Sequence, residues 1–207
     1  MIVLGVLVSG SGTNLQAILD AIRERTLDAR LAVVVSNVPE AKALDRARAA
    51  SVETVVVDHR GFADRAAFDA AVVEVLRARG VELVVLAGFM RLLTPVLLDA
   101  FPLRIVNVHP ALLPAFPGIH GQRQALEYGV RVAGCTVHFV DRGTDTGPII
   151  AQATVPVLDD DDEPALTARI LAKEHELLPR VLQWVADGRV SIEATKSGRP
   201  RVRVRAG

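Results

Sequence analysis

The chain has 207 residues and no net formal charge, because 24 lysines and arginines balance 24 aspartates and glutamates. Half of the residues are apolar, which favours a folded domain with a hydrophobic core and argues against a disordered chain. The balanced charge argues against a general nucleic-acid or membrane binder. The single cysteine, Cys135, excludes a disulfide within the chain and favours a reducing compartment, so a cytoplasmic location is expected.

The chain opens on an apolar run over residues 2–8. A signal peptide would need a basic segment before this run, and a membrane span would need a longer one, so a buried first strand is the better interpretation. Further runs rich in Val, Ile and Leu follow at residues 31–35, 54–57, 83–87 and 103–108. Continuous runs without alternation are typical of strands buried on both faces of a parallel sheet.

Amphipathic helices are predicted between these strands. Helical spacing relates Leu15, Ile18, Leu19 and Ile22, and later Phe68, Ala71, Val72 and Val75, with Arg79 at the end of that helix. Strands that alternate with helices indicate an α/β fold, Rossmann-like, with a mostly parallel open sheet and helices on both faces. The pattern shows no linker, so a single domain is expected over residues 1–207.

The pattern changes in the second half of the chain. Residues 111–118 contain prolines and a glycine and are predicted to form a structured loop, whereas residues 136–140 and 149–157 are predicted strands. The acidic run at 159–163 precedes Pro164, a combination typical of the start of a helix. A cation site in that run is the weaker interpretation.

Two features of the C-terminal part stand out. Pro179 lies inside the predicted long helix, where it is expected to introduce a kink. Arginines alternate with a proline and valines over residues 199–205, which predicts an edge strand with one solvated face. An RNA-binding tail is the weaker alternative for that segment.

A glycine-rich turn, Ser-Gly-Ser-Gly-Thr-Asn at residues 9–14, lies between the first strand and the first helix. Such a turn brings backbone N–H groups and a helix N-terminus to one place, which favours a phosphate group. The alternative is a tight turn in which Thr13 or Ser11 caps the helix. Leu15 replaces the third glycine of the dinucleotide fingerprint, which argues against NAD and for a mononucleotide-sized phosphate.

Asn107 and His109 close the fifth predicted strand, and Pro110 follows them. Alternate strand residues point to the same side, so both side chains are expected at the ligand-binding edge of the sheet. An amide and an imidazole suit acyl transfer, since they can stabilise an oxyanion and pass a proton. Asp145, in a glycine-containing loop, is the candidate partner of His109, although sequence spacing cannot bring the two together. The alternative is that these side chains only satisfy loop backbone groups.

Six segments in order resemble the phosphoribosylglycinamide formyltransferase family of folate-dependent enzymes. They are SGSGTNLQAI at residues 9–18, VLAGFMR at 85–91, NVHPALLP at 107–114, PGIH at 117–120, VHFVD at 137–141 and DTGPII at 145–150. Each segment alone is a weak signal, but the ordered set is specific and covers nearly the whole chain. The resemblance implies the formyltransferase fold, with residues 1–100 binding the nucleotide phosphate and residues 101–207 carrying catalysis and folate binding.

The resemblance implies a reaction and its substrates. The formyl group of 10-formyltetrahydrofolate, the co-substrate, would pass to the amine of glycinamide ribonucleotide in purine synthesis. The expected partners are therefore small molecules, without nucleic acid, membrane or metal, and the chain could be a monomer or a homodimer. The alternatives are a sugar-nucleotide formyltransferase and a nucleotide-binding protein without catalysis.

The resemblance also implies residue roles. The catalytic residues would be Asn107, His109 and Asp145, with His109 as the proton donor. The ribonucleotide would contact Ser11, Gly12, Thr13, Asn14, Pro110 and Glu174, the last through the ribose hydroxyls. The folate would contact Arg65, Met90, Arg91, Leu92, Leu93, Asn107, Val140, Asp141 and Asp145. The simpler alternative for Arg65 and Glu174 is a surface charge without a role in binding. The resemblance also places His138 beside the catalytic residues; the alternative is a strand histidine whose ring nitrogens only make hydrogen bonds within the protein.

Overall fold

A computed structural model describes residues 1–195 and 198–206. The chain divides into two compact units, Met1–Asn107 and Val108–Gly207. In the described part of the chain, no helix combines the length and the apolar character needed to cross a membrane.

The first unit alternates strands and helices as predicted. Its elements are β1 (Ile2–Val8), α1 (Thr13–Arg23), β2 (Ala29–Ser36), α2 (Lys42–Ala49), β3 (Thr54–Val56), a short 3-10 helix (His59–Gly61), α3 (Arg65–Arg77), β4 (Leu83–Leu86), α4 (Pro95–Ala100) and β5 (Ile105–His109). The five strands lie in the order β3-β2-β1-β4-β5 and pair in parallel. Burial of apolar side chains on β1, β2 and β4 explains why these strands lack alternation.

Several boundaries in the first unit differ from the prediction. Strand β2 extends beyond the predicted run 31–35 at both ends, and β3 ends at Val56 instead of residue 57. Strand β5 begins at Ile105 rather than at residue 103, because Leu103 has a φ of 54° and therefore lies in a turn. Helix α3 ends at Arg77, two residues before Arg79, whose side chain instead donates to the carbonyl of Val75 and pairs with Glu53. Strand β4 ends at Leu86 instead of residue 87.

The glycine-rich turn is shaped by Gly12. This residue, and neither Ser11 nor Thr13, is the N-cap of α1, so the alternative of a side-chain cap is wrong. Its φ is 72°, and a Cβ added there would lie 2.6 Å from Cα of Ala43 on α2. A glycine is therefore required both by the backbone conformation and by the contact between the turn and α2.

The second unit is built from an antiparallel strand pair covered by one long helix. Its elements are α5 (Gly121–Tyr128), β6 (Val132–Phe139), β7 (Ile149–Pro156), α6 (Glu163–Ala186), β8 (Val190–Glu193) and β9 (Arg201–Val204). Helix α6 packs on β6 and β7 through apolar residues such as Leu166, Ile170 and Leu177. The helix continues through Pro179 without a break. Strand β6 begins four residues before the predicted run, at Val132.

The arginine-rich C-terminal segment forms the predicted edge strand. Strand β9 pairs antiparallel with β8, exposing Arg201 and Arg203 while Val202 and Val204 are half-buried. Alternation of this kind is expected of a strand with one face in water.

The acidic run before α6 is explained by hydrogen bonds within the protein. The Asp162 side chain caps the helix by accepting from the N–H of Ala165 at 2.8 Å. The Asp161 carboxylate accepts from two nitrogens of Arg169, at 2.6 and 2.8 Å, and from the N–H of Leu158 at 2.8 Å. These bonds, led by those from Arg169, lower the pKa of Asp161 to about 2.

Replacement of Gly12 should destabilise the protein. In Gly12→Ala the new Cβ meets the α2 backbone and the residue must keep a positive φ, so we expect a loss of about 1–3 kcal/mol in the free energy of unfolding. Gly10→Ala is the matched control, since a Cβ there meets nothing within 4 Å. Urea titrations of the two variants would measure the difference, and equal stability would contradict the steric argument.

The Asp161–Arg169 pair should give a pH-dependent contribution to stability. The pKa of Asp161 is lowered in the folded protein, so its stabilising effect is present above pH ~4 and disappears as the pH falls toward ~2. We expect Asp161→Asn to be less stable than wild type near neutral pH and to lose less stability on acidification. Acid titrations followed by circular dichroism test this, with exposed Asp160→Asn as the control.

Candidate active site

The glycine-rich turn of the first unit offers a site for an anion. Helix α1 begins directly after Gly12 without a side-chain cap, and the positive end of a helix dipole favours a negative charge. Arg46 on α2 donates to the carbonyl of Ser11 at 2.9 Å, which places a guanidinium beside the turn. Sequence reasoning missed Arg46, because α2 has a small apolar face of Ala43, Leu44 and Ala47 and was not predicted as a helix.

Ser9 joins the glycine-rich turn to the segment around Met90. Its hydroxyl donates to the Asn37 side chain at 2.6 Å and accepts from the N–H of Met90 at 2.9 Å. Asn37 is buried and also contacts His59. These bonds fix the ends of β1 and β2 and the segment after β4 relative to one another. The sequence placed Ser9 in the turn, but nothing in its spacing signalled this second contact.

The predicted folate-binding residues of the first unit lie at the start of α3 and in the segment that follows β4, and one of them contacts Phe68. The guanidinium of Arg91 lies 4.8 Å from the centre of the Phe68 ring, and Phe89 stacks on that ring at 6.5 Å. Arg65 begins α3, one helical turn before Phe68. The same segment exposes 75% of Met90 and 59% of Leu92, while Leu93 is half-buried. This surface combines exposed apolar side chains with two cations.

The Met90 segment is anchored at its end by a buried carboxylate. Asp69 on α3 accepts from both the backbone N–H and the hydroxyl of Thr94, at 2.6 and 2.7 Å. Thr94 directly precedes α4, so these bonds fix the point where the segment becomes helical. Asp69 was absent from the sequence-based candidates, since its position on α3 resembles any surface helix acid.

In the second unit, the structure brings His109 and Asp145 together. His109 is 4% exposed, and its Nδ1 lies 3.5 Å from Oδ2 of Asp145. The same carboxylate oxygen accepts from the N–H of Gly118 at 2.7 Å. Asp145 has a φ of 54°, so it is a turn residue as well as the partner of His109. Asn107 is half-buried on β5, two residues before His109, and strand geometry therefore points both side chains to the same side.

His138 also faces Asp145. Its Nε2 lies 3.7 Å from Oδ1 of Asp145, and its Nδ1 donates to the carbonyl of Phe139 at 2.9 Å. Burial lowers the pKa of His138, although the bond to Phe139 and the charge of Asp145 oppose this effect. His138 therefore lies beside the carboxylate that also faces His109, with its pKa held below the ordinary value of a histidine.

The loop that follows β6 is held by its own side chains. Asp141 accepts from the N–H of Gly143 at 3.0 Å and from the hydroxyl of Thr146 at 2.7 Å. A Cβ at Gly147 would lie 1.8 Å from the carbonyl oxygen of Phe139, so only glycine allows the loop to return to the strand. Val140 is half-buried at the start of this loop. The loop thus presents Asp145 from a defined backbone.

Three other residues of the second unit bear on the site, namely Pro110, Cys135 and Glu174. Glu174 is 6% exposed on α6, so the alternative of a solvated surface acid is wrong. Pro110 ends β5 and lines an apolar pocket of about 410 Å³. Cys135 is buried in β6, and burial raises the pKa of its thiol to about 12, which makes it inert as a nucleophile.

Comparison with known proteins gives consistent results. Residues 3–182 match the family of formyl transferases. The chain is 48% identical over 185 residues to the trifunctional purine biosynthetic protein adenosine-3 of Drosophila melanogaster, covering 88% of this chain and 14% of that protein. It is 43% identical over 187 residues to the phosphoribosylglycinamide formyltransferase of Escherichia coli, covering 90% of this chain and 88% of that one. The chain thus spans only a small part of the trifunctional relatives that it matches.

Solved structures agree with these relatives. Glycinamide ribonucleotide transformylase 1 from Symbiobacterium toebii is 56% identical with a TM-score of 0.96, covering 100% of this chain and 95% of that one. The same enzyme from Geobacillus kaustophilus is 45% identical with a TM-score of 0.87, covering 89% and 98% of the two chains. The predicted α/β fold with a mostly parallel sheet is confirmed by these structures. From the matched residues, the relatives and the shared fold, the chain belongs to the formyl transferase family.

Proposed function

We propose that this chain transfers the formyl group of 10-formyltetrahydrofolate to the amine of glycinamide ribonucleotide. The products are formylglycinamide ribonucleotide and tetrahydrofolate. The family and the names of the relatives support the reaction. The observation that carries the proposal is the buried His109 within 3.5 Å of Asp145 at the end of β5. We also propose a cytoplasmic location, where the single thiol would stay reduced.

The proposed chemistry is acyl transfer between two nitrogens. The amine nitrogen attacks the formyl carbon, and the carbonyl oxygen becomes an oxyanion that the Asn107 amide and His109 stabilise as donors. The amine loses a proton to Asp145, and the N10 atom of the folate gains a proton from His109 as its bond to carbon breaks. One proton leaves the acceptor and one reaches the leaving group, so the step balances without an external acid or base.

The substrate contacts are proposed from the surfaces described above. The phosphate of the ribonucleotide would bind at the turn of Ser11, Gly12, Thr13 and Asn14, with residues 1–100 as the phosphate-binding half. Glu174 would accept from the ribose hydroxyls, and Pro110 would border the ribonucleotide. Arg65, Met90, Arg91, Leu92 and Leu93 would contact the folate, whose flat ring suits exposed apolar side chains. Val140 and Asp141 would border the pterin, within the catalytic half at residues 101–207.

The reaction is tested by following release of tetrahydrofolate with and without glycinamide ribonucleotide. We expect release only when the ribonucleotide is present. Release without any acceptor would indicate a hydrolase instead. Release only with an amino-sugar nucleotide would assign the alternative acceptor class and contradict the proposal.

Loss of a catalytic side chain should slow turnover while the fold survives. We expect Asn107→Ala, His109→Ala and Asp145→Ala each to lower kcat by about a hundredfold or more, the usual effect of removing one oxyanion donor or proton-transfer group. Asp160→Ala, an exposed loop aspartate, is the matched control for Asp145→Ala. Steady-state kinetics on variants with native circular dichroism would decide, and three folded variants with normal turnover would refute the assignment.

Loss of either cation near Phe68 should weaken folate binding more than it slows chemistry. The glutamate end of a folate is anionic, so Arg65→Ala and Arg91→Ala should raise KM for the folate by roughly tenfold, the effect of one charge-assisted hydrogen bond. We expect kcat to change little. Arg30→Ala, an exposed arginine on β2, is the control. A fall in kcat at constant KM would place these residues in the chemical step instead.

A further inference from the structure

The two nitrogens of His109 have different environments. Nε2 lies 2.8 Å from the carbonyl oxygen of Phe116, a normal hydrogen-bond distance. Nδ1 lies 3.5 Å from Oδ2 of Asp145, which is longer than a normal hydrogen bond. A carbonyl oxygen can only accept, so the Nε2 atom must carry a proton whenever this bond is formed.

The carbonyl of Phe116 is held by the turn that contains it. Phe116 has a φ of 55°, a conformation that a bulky residue seldom adopts unless its surroundings impose it. Its ring packs against Tyr128, the last residue of α5, with the ring centres 5.8 Å apart. Two residues later, the N–H of Gly118 donates to Asp145 at 2.7 Å. The turn of residues 116–118 therefore contacts both His109 and Asp145, one through a carbonyl and the other through an N–H.

We propose that the turn of residues 116–118 fixes the proton of His109 on Nε2 and thereby makes Nδ1 the nitrogen that transfers protons. This inference deepens the proposed function and rests on it. Phe116 acts as a positioning residue, because it acts through the contact of its backbone carbonyl with His109.

The assignment defines the path of the proton. In the protonated ring both N–H groups face acceptors, Phe116 at Nε2 and Asp145 at Nδ1. The Nδ1 proton passes to the leaving nitrogen of the folate, which leaves a neutral ring with its remaining proton on Nε2. The proton that Asp145 takes from the amine then returns to Nδ1. The Nε2 proton stays in place throughout, so the ring keeps one orientation in both charge states.

The direct test is the tautomer of His109 in the folded protein. Protein labelled with ¹⁵N-histidine would be titrated with pH, and long-range ¹H–¹⁵N spectra would show which ring nitrogen carries the proton in the neutral form. The chain has five histidines, so a His109→Gln spectrum would identify the signals of His109. We expect the proton on Nε2. A proton on Nδ1 would overturn the inference, whatever the outcome of the formyl-transfer assay.

The positioning role is tested by removing the ring that anchors the carbonyl. Phe116→Gly accepts the positive φ but loses the contact with Tyr128, so we expect a mixture of the two His109 tautomers. The value of kcat should fall by roughly tenfold, the effect of one ordinary hydrogen bond, and the pH–rate profile should shift. Tyr128→Ala should change the same readouts in the same direction, whereas Tyr128→Phe should keep the wild-type tautomer and profile.

The outcomes separate this inference from the proposed function. A folded Phe116→Gly variant with the wild-type tautomer and the wild-type pH profile would refute the role of the Phe116 ring, even if its turnover fell. If the wild-type protein failed to transfer a formyl group but held the Nε2 proton, the proposed reaction would be wrong and the tautomer assignment would stand.

Discussion

The carboxylate of Asp145 is the interaction on which the site of the second unit depends. It accepts from the N–H of Gly118 and faces both His109 and His138, so three segments of the chain meet at one charged group. A largely buried carboxylate is costly unless donors surround it, which is why the loop around it is so closely fixed. Asp141 and Gly147 hold that loop from either end. Among the contacts described above, the carboxylate is the acceptor beside Nδ1 of His109, while the carbonyl of Phe116 lies beside Nε2.

The sequence predicted the elements whose side chains are buried continuously. Strands β1, β2 and β4 were found because burial on both faces removes polar residues from them, a pattern that local sequence displays. Helices α2, α4 and α5 were missed, since few of their residues are buried and the helical period is therefore faint. Leu103 was placed in a strand because its side chain and those that follow it are apolar, whereas its positive φ is set by the turn before β5.

The candidate site was predicted in part. Asn107 and His109 were found because two polar side chains at the end of a buried strand are unusual. Asp145 was a candidate partner of His109 because it is an acid in a glycine-containing loop. Sequence spacing could not show its approach to His109, since a contact between residues so far apart in sequence depends on the fold. The burial of Glu174 and the contacts of Arg46 and Ser9 could not be predicted either, because exposed and buried polar residues look alike in sequence.

The buried thiol in β6 has a consequence for how the protein meets oxidants. Burial raises the pKa of the Cys135 thiol to about 12, so very little of it is thiolate near pH 7, and the thiolate is the form that attacks peroxides and disulfides. Cys135 is also the single cysteine of the chain. In the folded chain the Cys135 thiol is therefore slow to oxidise to a sulfenic acid. Changes in the cellular redox state should leave this residue unmodified.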